Sequence, residues 1–258
     1  MEIGISSSCF YPALTEAAFE KACIYGAKTA EIFFNSACEL EQPLLQKFID
    51  IKEKYSVTVN TIHPYTSFAE PFVLFGGYER RIKEGVEFYK RFFESAQALG
   101  AKAVVIHGGR PAFTKEKETE YIEAYNLLCD AADEYGVSPA VENVVDRMGQ
   151  SLDFLSLLKA NSDGRFRTVL DIKQCRRSGV SEFDFIDKFS KDIVQVHLSD
   201  YNSELDCIPP GEGNYDFKKL FYTLKNADYD QSAIIELYNW GYNDENQIKK
   251  SRIFLESL

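Results

Sequence analysis

The chain has 258 residues, 45% of them hydrophobic, which is enough to bury one substantial core in a single domain spanning 1–258. Its formal net charge of -11 sets up an average field that repels polyanions, and the densest basic stretches are only the pairs Arg80-Arg81, Arg176-Arg177 and Lys218-Lys219. A large nucleic-acid footprint is therefore disfavoured. Six cysteines without a CxxC pair are expected to be reduced thiols in a cytoplasmic protein, and neither a signal-peptide pattern nor a run of about 20 apolar residues is present.

Short apolar segments alternate with longer segments of helical period. Strand-like EIGISSS precedes a helix predicted from Pro12 to Tyr25, and TAEIFFN (Thr29 to Asn35) precedes one from Gln42 to Tyr55. The third strand, VTVNTIHPY, leads into a long loop, PYTSFAEPFVLFGGYE, and then a helix from Arg80 to Leu99. A loop of that length is expected to line a site, with its aromatic residues Tyr65, Phe68, Phe72, Phe75 and Tyr78 either walling a pocket or anchoring the loop. AKAVVIHGG precedes a helix from Glu116 to Tyr135, and SPAVENV precedes one from Ser151 to Ala160 with Ser151 as its N-cap. The sixth strand is FRTVLDIK. The seventh, DIVQVHLSD, is followed by DCIPPGEGNYD and a helix from Phe217 to Asn226, and the eighth, SAIIELY, by a helix from Glu245 to Leu255.

Single strands alternating with helices imply parallel pairing, and eight such units in about 250 residues fit a closed (β/α)8 TIM barrel. An open doubly wound sheet would want a glycine-rich turn after the first strand, where SSSCFYP has none. No internal repeat, low-complexity tract or linker divides the chain.

All three histidines, His63, His107 and His197, close apolar runs, and so do Glu142, Asp171 and Glu236. Such groups are costly to bury unless something satisfies them. The successive gaps are 44, 35, 29, 26 and 39 residues, each near one βα unit, so strands three to eight would deliver all six groups to the carboxyl face where barrel active sites lie. Glu142, Asp171, His197 and Glu236 form an oxygen-rich set suited to Mn²⁺, Mg²⁺, Zn²⁺ or Co²⁺, and a divalent cation would relieve the repulsion among three carboxylates. His63 and His107 are expected either to contact substrate or to hold a second cation with Glu142 as a bridge. Lys173, two residues past Asp171, is expected on the same strand and the same side, where it meets a carboxylate or a substrate oxygen. Glu212 in the PPGEG turn is expected as a further substrate contact, and Asn143 and Trp240 are further candidates for lining the pocket.

The segments TIHPY, VVIHGG, VEN, VLDIKQ, VHLSD, PGEG and IIEL, in that order and at one-unit spacing, resemble the sugar isomerase/epimerase superfamily of xylose isomerase-like barrels, which also includes the apurinic endonuclease IV type. The resemblance implies one divalent metal on Glu142, Asp171, His197 and Glu236, with the two glutamates doubling as acid and base in a proton transfer through a metal-stabilised cis-enediolate. It implies a small carbohydrate substrate and, as an expectation, a homo-oligomer. Many members carry a histidine where this chain has Gln174, an amide able to bond a sugar hydroxyl but a poor metal ligand. The endonucleases need that histidine and an Asp-x-His after strand seven for a third zinc, and both are absent here. Two alternatives stay open: a dinuclear metal-dependent hydrolase acting on a phosphoester, and a sugar-binding barrel without turnover.

Overall fold

The computed structural model describes residues 1–111 and 114–258. Eight strands, β1 (Glu2–Ser6), β2 (Thr29–Phe33), β3 (Thr58–His63), β4 (Ala103–Ile106), β5 (Ser138–Glu142), β6 (Thr168–Asp171), β7 (Ile193–Leu198) and β8 (Ser232–Ile235), pair in parallel in chain order, and β8 closes on β1. The helices are α1 (Thr15–Ile24), α2 (Leu44–Tyr55), the short α3 (Glu70–Val73), α4 (Glu79–Leu99), α5 (Lys115–Asp133), α6 (Leu152–Ala160), α7 (Ile172–Ser178), α8 (Glu182–Phe189), α9 (Phe217–Asn226) and α10 (Asn246–Glu256). The expected (β/α)8 barrel is the observed fold. Among the described residues no helix is long and apolar enough to cross a membrane.

Alternation along each strand assigns its two faces. Outward residues such as Ile32, Ile62, Val104 and Ile106 pack against the helices in one buried cluster, and Ile3, Ile5, Leu170, Val196 and Ala233 do so in another. The inward side holds a thin apolar layer of Ala103, Val105, Ala140 and Val169. Above it the inward positions turn polar, and the strands end in His63, Glu142 and Asp171. Two register shifts, one between β2 and β3 beside Glu31 and one between β6 and β7, each leave a residue unopposed. Both flank the polar layer: Asn60, skipped on β3, donates to the Val194 carbonyl, and Val194 is the residue skipped on β7.

Most strands are shorter than the apolar runs that marked them, and the sixth is the instructive case. FRTVLDIK was expected to run on through Lys173, yet β6 stops at Asp171 because that carboxylate caps α7, accepting from Lys173 N (2.7 Å) and Gln174 N (3.3 Å). Lys173 is therefore helical, not strand-borne, and its approach to Asp171 comes from the turn rather than from a shared strand face. In the long loop after β3, Phe75 stacks on Tyr121 at 4.2 Å and Tyr65 packs against Phe92, while Phe68, Phe72 and Tyr78 remain exposed.

Gly4 of β1 faces the barrel interior, and a β-carbon there would strike the Thr29 carbonyl and the Ile234 side chain. Gly4→Ala is expected to destabilise the barrel by about 1–3 kcal/mol through overpacking, read as a lower urea midpoint with an unchanged slope.

Candidate metal and active site

The six strand-end groups do converge. Glu142, Asp171, His197 and Glu236 each offer one atom, and these atoms all lie within 4.8 Å of one another; His63, His107 and Glu142 form a second such group. Glu142 belongs to both: its Oε1 lies 3.4 Å from His197 Nδ1, while its Oε2 lies 3.0 Å from His107 Nε2 and 3.7 Å from His63 Nε2. Glu236 Oε2 sits 3.4 Å from the same His197 Nδ1. All are buried except Glu236 and His107, which are partly open.

The donor atoms facing the centre are the ones left unsatisfied. Among the described residues Glu142 Oε2, Asp171 Oδ2 and His197 Nδ1 are buried without a hydrogen bond of regular geometry, their nearest polar neighbours being Lys173 and one another's side chains in the cluster, which is rare for polar atoms and fits a cation between them. His63 and His107 bring their Nε2 atoms to 3.0 Å, and His63 Nδ1 lies 3.2 Å from the Pro64 carbonyl. A proton on Nδ1 leaves Nε2 with its lone pair turned towards His107 and Glu142.

Charge balance shapes the cluster. Burial, reinforced by Glu142 and Glu236 and opposed by Lys173, pushes the Asp171 carboxyl up to about 6. Burial works the same way on Glu142, but the close His107, His197 and His63 imidazoles overcome it and hold that carboxyl well below the usual range. His197 is raised well above an ordinary imidazole, against the effect of burial, by the charges of Glu31 and Glu236 and its carboxylate bonds. Lys173, fully enclosed, reaches Asp171 Oδ2 at 3.1 Å and Glu236 Oε2 at 3.4 Å.

Gln174 and Asn143 work on the scaffold: the Gln174 side chain accepts from Val145 N, and Asn143 exchanges two hydrogen bonds with the Asp171 backbone, tying β5 to β6. Glu212 is exposed, its carboxylate accepts from Gln247, and it belongs to neither donor group. The sequence reading missed Glu31, Gln195 and Glu70. Glu31 Oε1 accepts from Ser6, its Oε2 accepts from Thr61 and Gln195, and that same Oε2 lies 3.1 Å from His197 Nε2. With a cation at Nδ1 the imidazole proton must sit at Nε2, facing Glu31, an arrangement that fixes the ring. Gln195 was legible in principle, since it lies two residues before His197 on one strand face. Glu70, in α3, is buried and accepts from Tyr89 and from Gly108 N, beside His107; nothing in its loop sequence marks it.

A sequence model of the xylose isomerase-like TIM barrel matches residues 19–258. The chain belongs to that family. Curated proteins give no match. Among solved structures, this xylose isomerase-like barrel is similar to the 3-keto-D-glucoside 4-epimerase YcjR from E. coli (16% identity, 100% of each chain, TM-score 0.83). It is similar as well to a D-allulose 3-epimerase from Methylomonas sp. in complex with D-allulose (16%, 100% and 96%, 0.80) and to an AP endonuclease, family 2, from Brucella melitensis (16%, 100% and 99%, 0.76). At these identities the likeness carries the fold alone.

Two outcomes follow from the charge balance. Asp171 and His63 both titrate higher in the cation-free fold than in the unfolded chain, so the stability they lend is complete at low pH and is lost as pH rises through their folded values. Chelated protein should therefore show a falling melting temperature from about pH 5 to about pH 7.5, with Asp171 alone contributing about 1.4 kcal/mol over that span because part of its shift titrates below pH 5, and Mn²⁺ should restore more at the higher pH. A flat or rising profile would refute this. Glu31→Gln should weaken Mn²⁺ binding by about 10–100-fold in calorimetry without removing any ligand.

Proposed function

We propose that the protein is a divalent-metal-dependent isomerase or epimerase that moves a proton between adjacent carbons of a small sugar or related α-hydroxycarbonyl compound. One observation carries it: two glutamates, Glu142 and Glu236, flank His197 Nδ1 at 3.4 Å each, inside a four-residue donor group containing three unsatisfied buried atoms. Glu142, Asp171, His197 and Glu236 would hold Mn²⁺, Zn²⁺, Mg²⁺ or Co²⁺, by the oxygen-rich nature of the set. When bound, such an ion supplies Lewis acidity that polarises a carbonyl and acidifies the neighbouring C–H.

The protein's own residues supply the proton path. Glu142, kept ionised by three surrounding histidines, is suited to accept a proton, and Glu236, more open and equally near His197 Nδ1, would return one. Lys173 sets an ammonium beside Glu236 and Asp171, where it meets negative charge developing on a substrate oxygen. That the structurally similar E. coli protein is a 3-keto-D-glucoside 4-epimerase, and the Methylomonas protein a D-allulose 3-epimerase, supports the same class of chemistry.

A second reading, a dinuclear phosphoester hydrolase, is favoured by the His63, His107 and Glu142 group, in which Glu142 could bridge two ions. Gln174 in place of a histidine, and the lack of an Asp-x-His after β7, weigh against the endonuclease form.

Incubating metal-loaded protein with an aldose and ketose panel in D₂O tests the choice. Deuterium at the carbon next to the carbonyl is expected, falling by about 10²–10⁴-fold in Glu142→Gln and in Glu236→Gln. Phosphodiester cleavage without deuterium uptake, and two metal ions per chain by plasma mass spectrometry, would select the hydrolase instead.

A further inference from the structure

Beside the cluster lies a cavity of about 340 Å³, walled by the ends of β1, β2 and β8: Ser8, Tyr11, Phe33 and Asn35 on one side, and Glu236 with the run from Leu237 to Trp240 on the other. Glu236 is its one member from the six-residue cluster, so the cavity adjoins the reacting centre at that residue. Its size falls at the lower end of the roughly 300–1,000 Å³ of small-molecule pockets, enough for a sugar ring. We infer that this cavity is a subsite for a second ring carried by the substrate, stacked on Trp240, so that the protein prefers glycosylated α-hydroxycarbonyl sugars to free monosaccharides. This rests on the isomerase reading above.

The walls are aromatic and held in place. Tyr238 and Trp240 stack with centroids 5.2 Å apart and planes at 26°. Lys173 Nζ lies 4.5 Å from the Tyr238 ring centre, and Arg177, itself paired with Asp206, donates to the Tyr238 hydroxyl. Phe33 is stacked on His63 at 4.4 Å, which ties the opposite wall to the cluster. Despite this support Trp240 is 53% exposed, so a prepared flat apolar surface faces solvent within reach of Glu236. A sugar ring matches such a surface, with C–H faces for the aromatic planes and hydroxyl edges for Ser8, Asn35 and Asn239 at the rim. The basic groups beside this wall, Lys173 and Arg177, are already paired with Asp171 and Glu236 and with Asp206, which leaves neither free for a terminal phosphate and favours a neutral ring as the occupant.

Trp240 is the chain's single tryptophan, so its emission reports on the cavity directly. The Mn²⁺-loaded protein is titrated with D-fructose and with three glucosylated fructoses joined through different hydroxyls: turanose, maltulose and isomaltulose. At least one disaccharide is expected to change Trp240 emission with an affinity about tenfold above that of D-fructose, equivalent to about 1.4 kcal/mol. Calorimetry on Tyr238→Ala and Trp240→Ala should bring that disaccharide and D-fructose within about twofold of each other. The subsite is refuted if none of the three outbinds D-fructose, or if the preference survives in both variants. Solvent deuterium separates this from the isomerase reading. Disaccharide preference without exchange leaves the subsite and removes the isomerase, whereas exchange into D-fructose without preference does the reverse.

Discussion

Three carboxylates and one imidazole whose donor atoms all lie within 4.8 Å of one another are the constraint around which the mouth of this barrel is organised. Like charges in a dry site cannot all remain ionised unless positive charge is supplied. Lys173 supplies one charge from within the chain, and His63, His107 and His197 offer more when protonated. The balance is incomplete, as Asp171 at about 6 and the three unsatisfied buried atoms indicate. The fold thus holds together a group that a cation would stabilise, and this tension between stability and site geometry is the usual mark of functional strain.

The cluster is held rigid from below. Glu31 sits fully buried in mid-barrel, and burial, which opposes its ionisation, is outweighed by the His197 charge and hydrogen bonds that hold its carboxyl down at about 2. Ser6, Thr61 and Gln195 complete its partners, so four strands contribute to one carboxylate. The register shifts on β2 and β3 and on β6 and β7 belong to the same network, because Asn60 and Thr61 both reach the Gln195 side chain. Orientation of His197 is therefore a property of the barrel interior and not of a mobile loop.

The barrel and the six strand-end groups were legible in the sequence because both follow from repetition: apolar runs at one-unit spacing, each closed by a residue that a core would reject. Glu31 and Gln195 obeyed the same physics but sat within their strands, so a search confined to strand ends passed over them. The end of β6 was hidden for another reason. Asp171 serves as both a cluster residue and a helix cap, and no periodicity announces a carboxylate with two roles. Glu70, Glu212 and the aromatic walls depend on loop paths, where sequence spacing says little about which groups meet.

Glu142 is where the competing readings divide. One oxygen faces His197 and the other faces His107 and His63, so the same carboxylate can serve a single cation with a free oxygen for proton transfer or bridge two cations with none to spare. These uses exclude each other, since an oxygen bound to a second ion is no longer a base. The stacking of Phe33 on His63 and the bond from His63 Nδ1 towards the Pro64 carbonyl fix that histidine with its free nitrogen towards Glu142, which suits a ligand or a hydrogen-bond partner equally. Glu236 opens onto the aromatic wall of Tyr238 and Trp240, where Lys173 and Arg177 touch Tyr238 but are already paired with Asp171, Glu236 and Asp206, and this is the surface on which the proposed neutral-sugar reading rests.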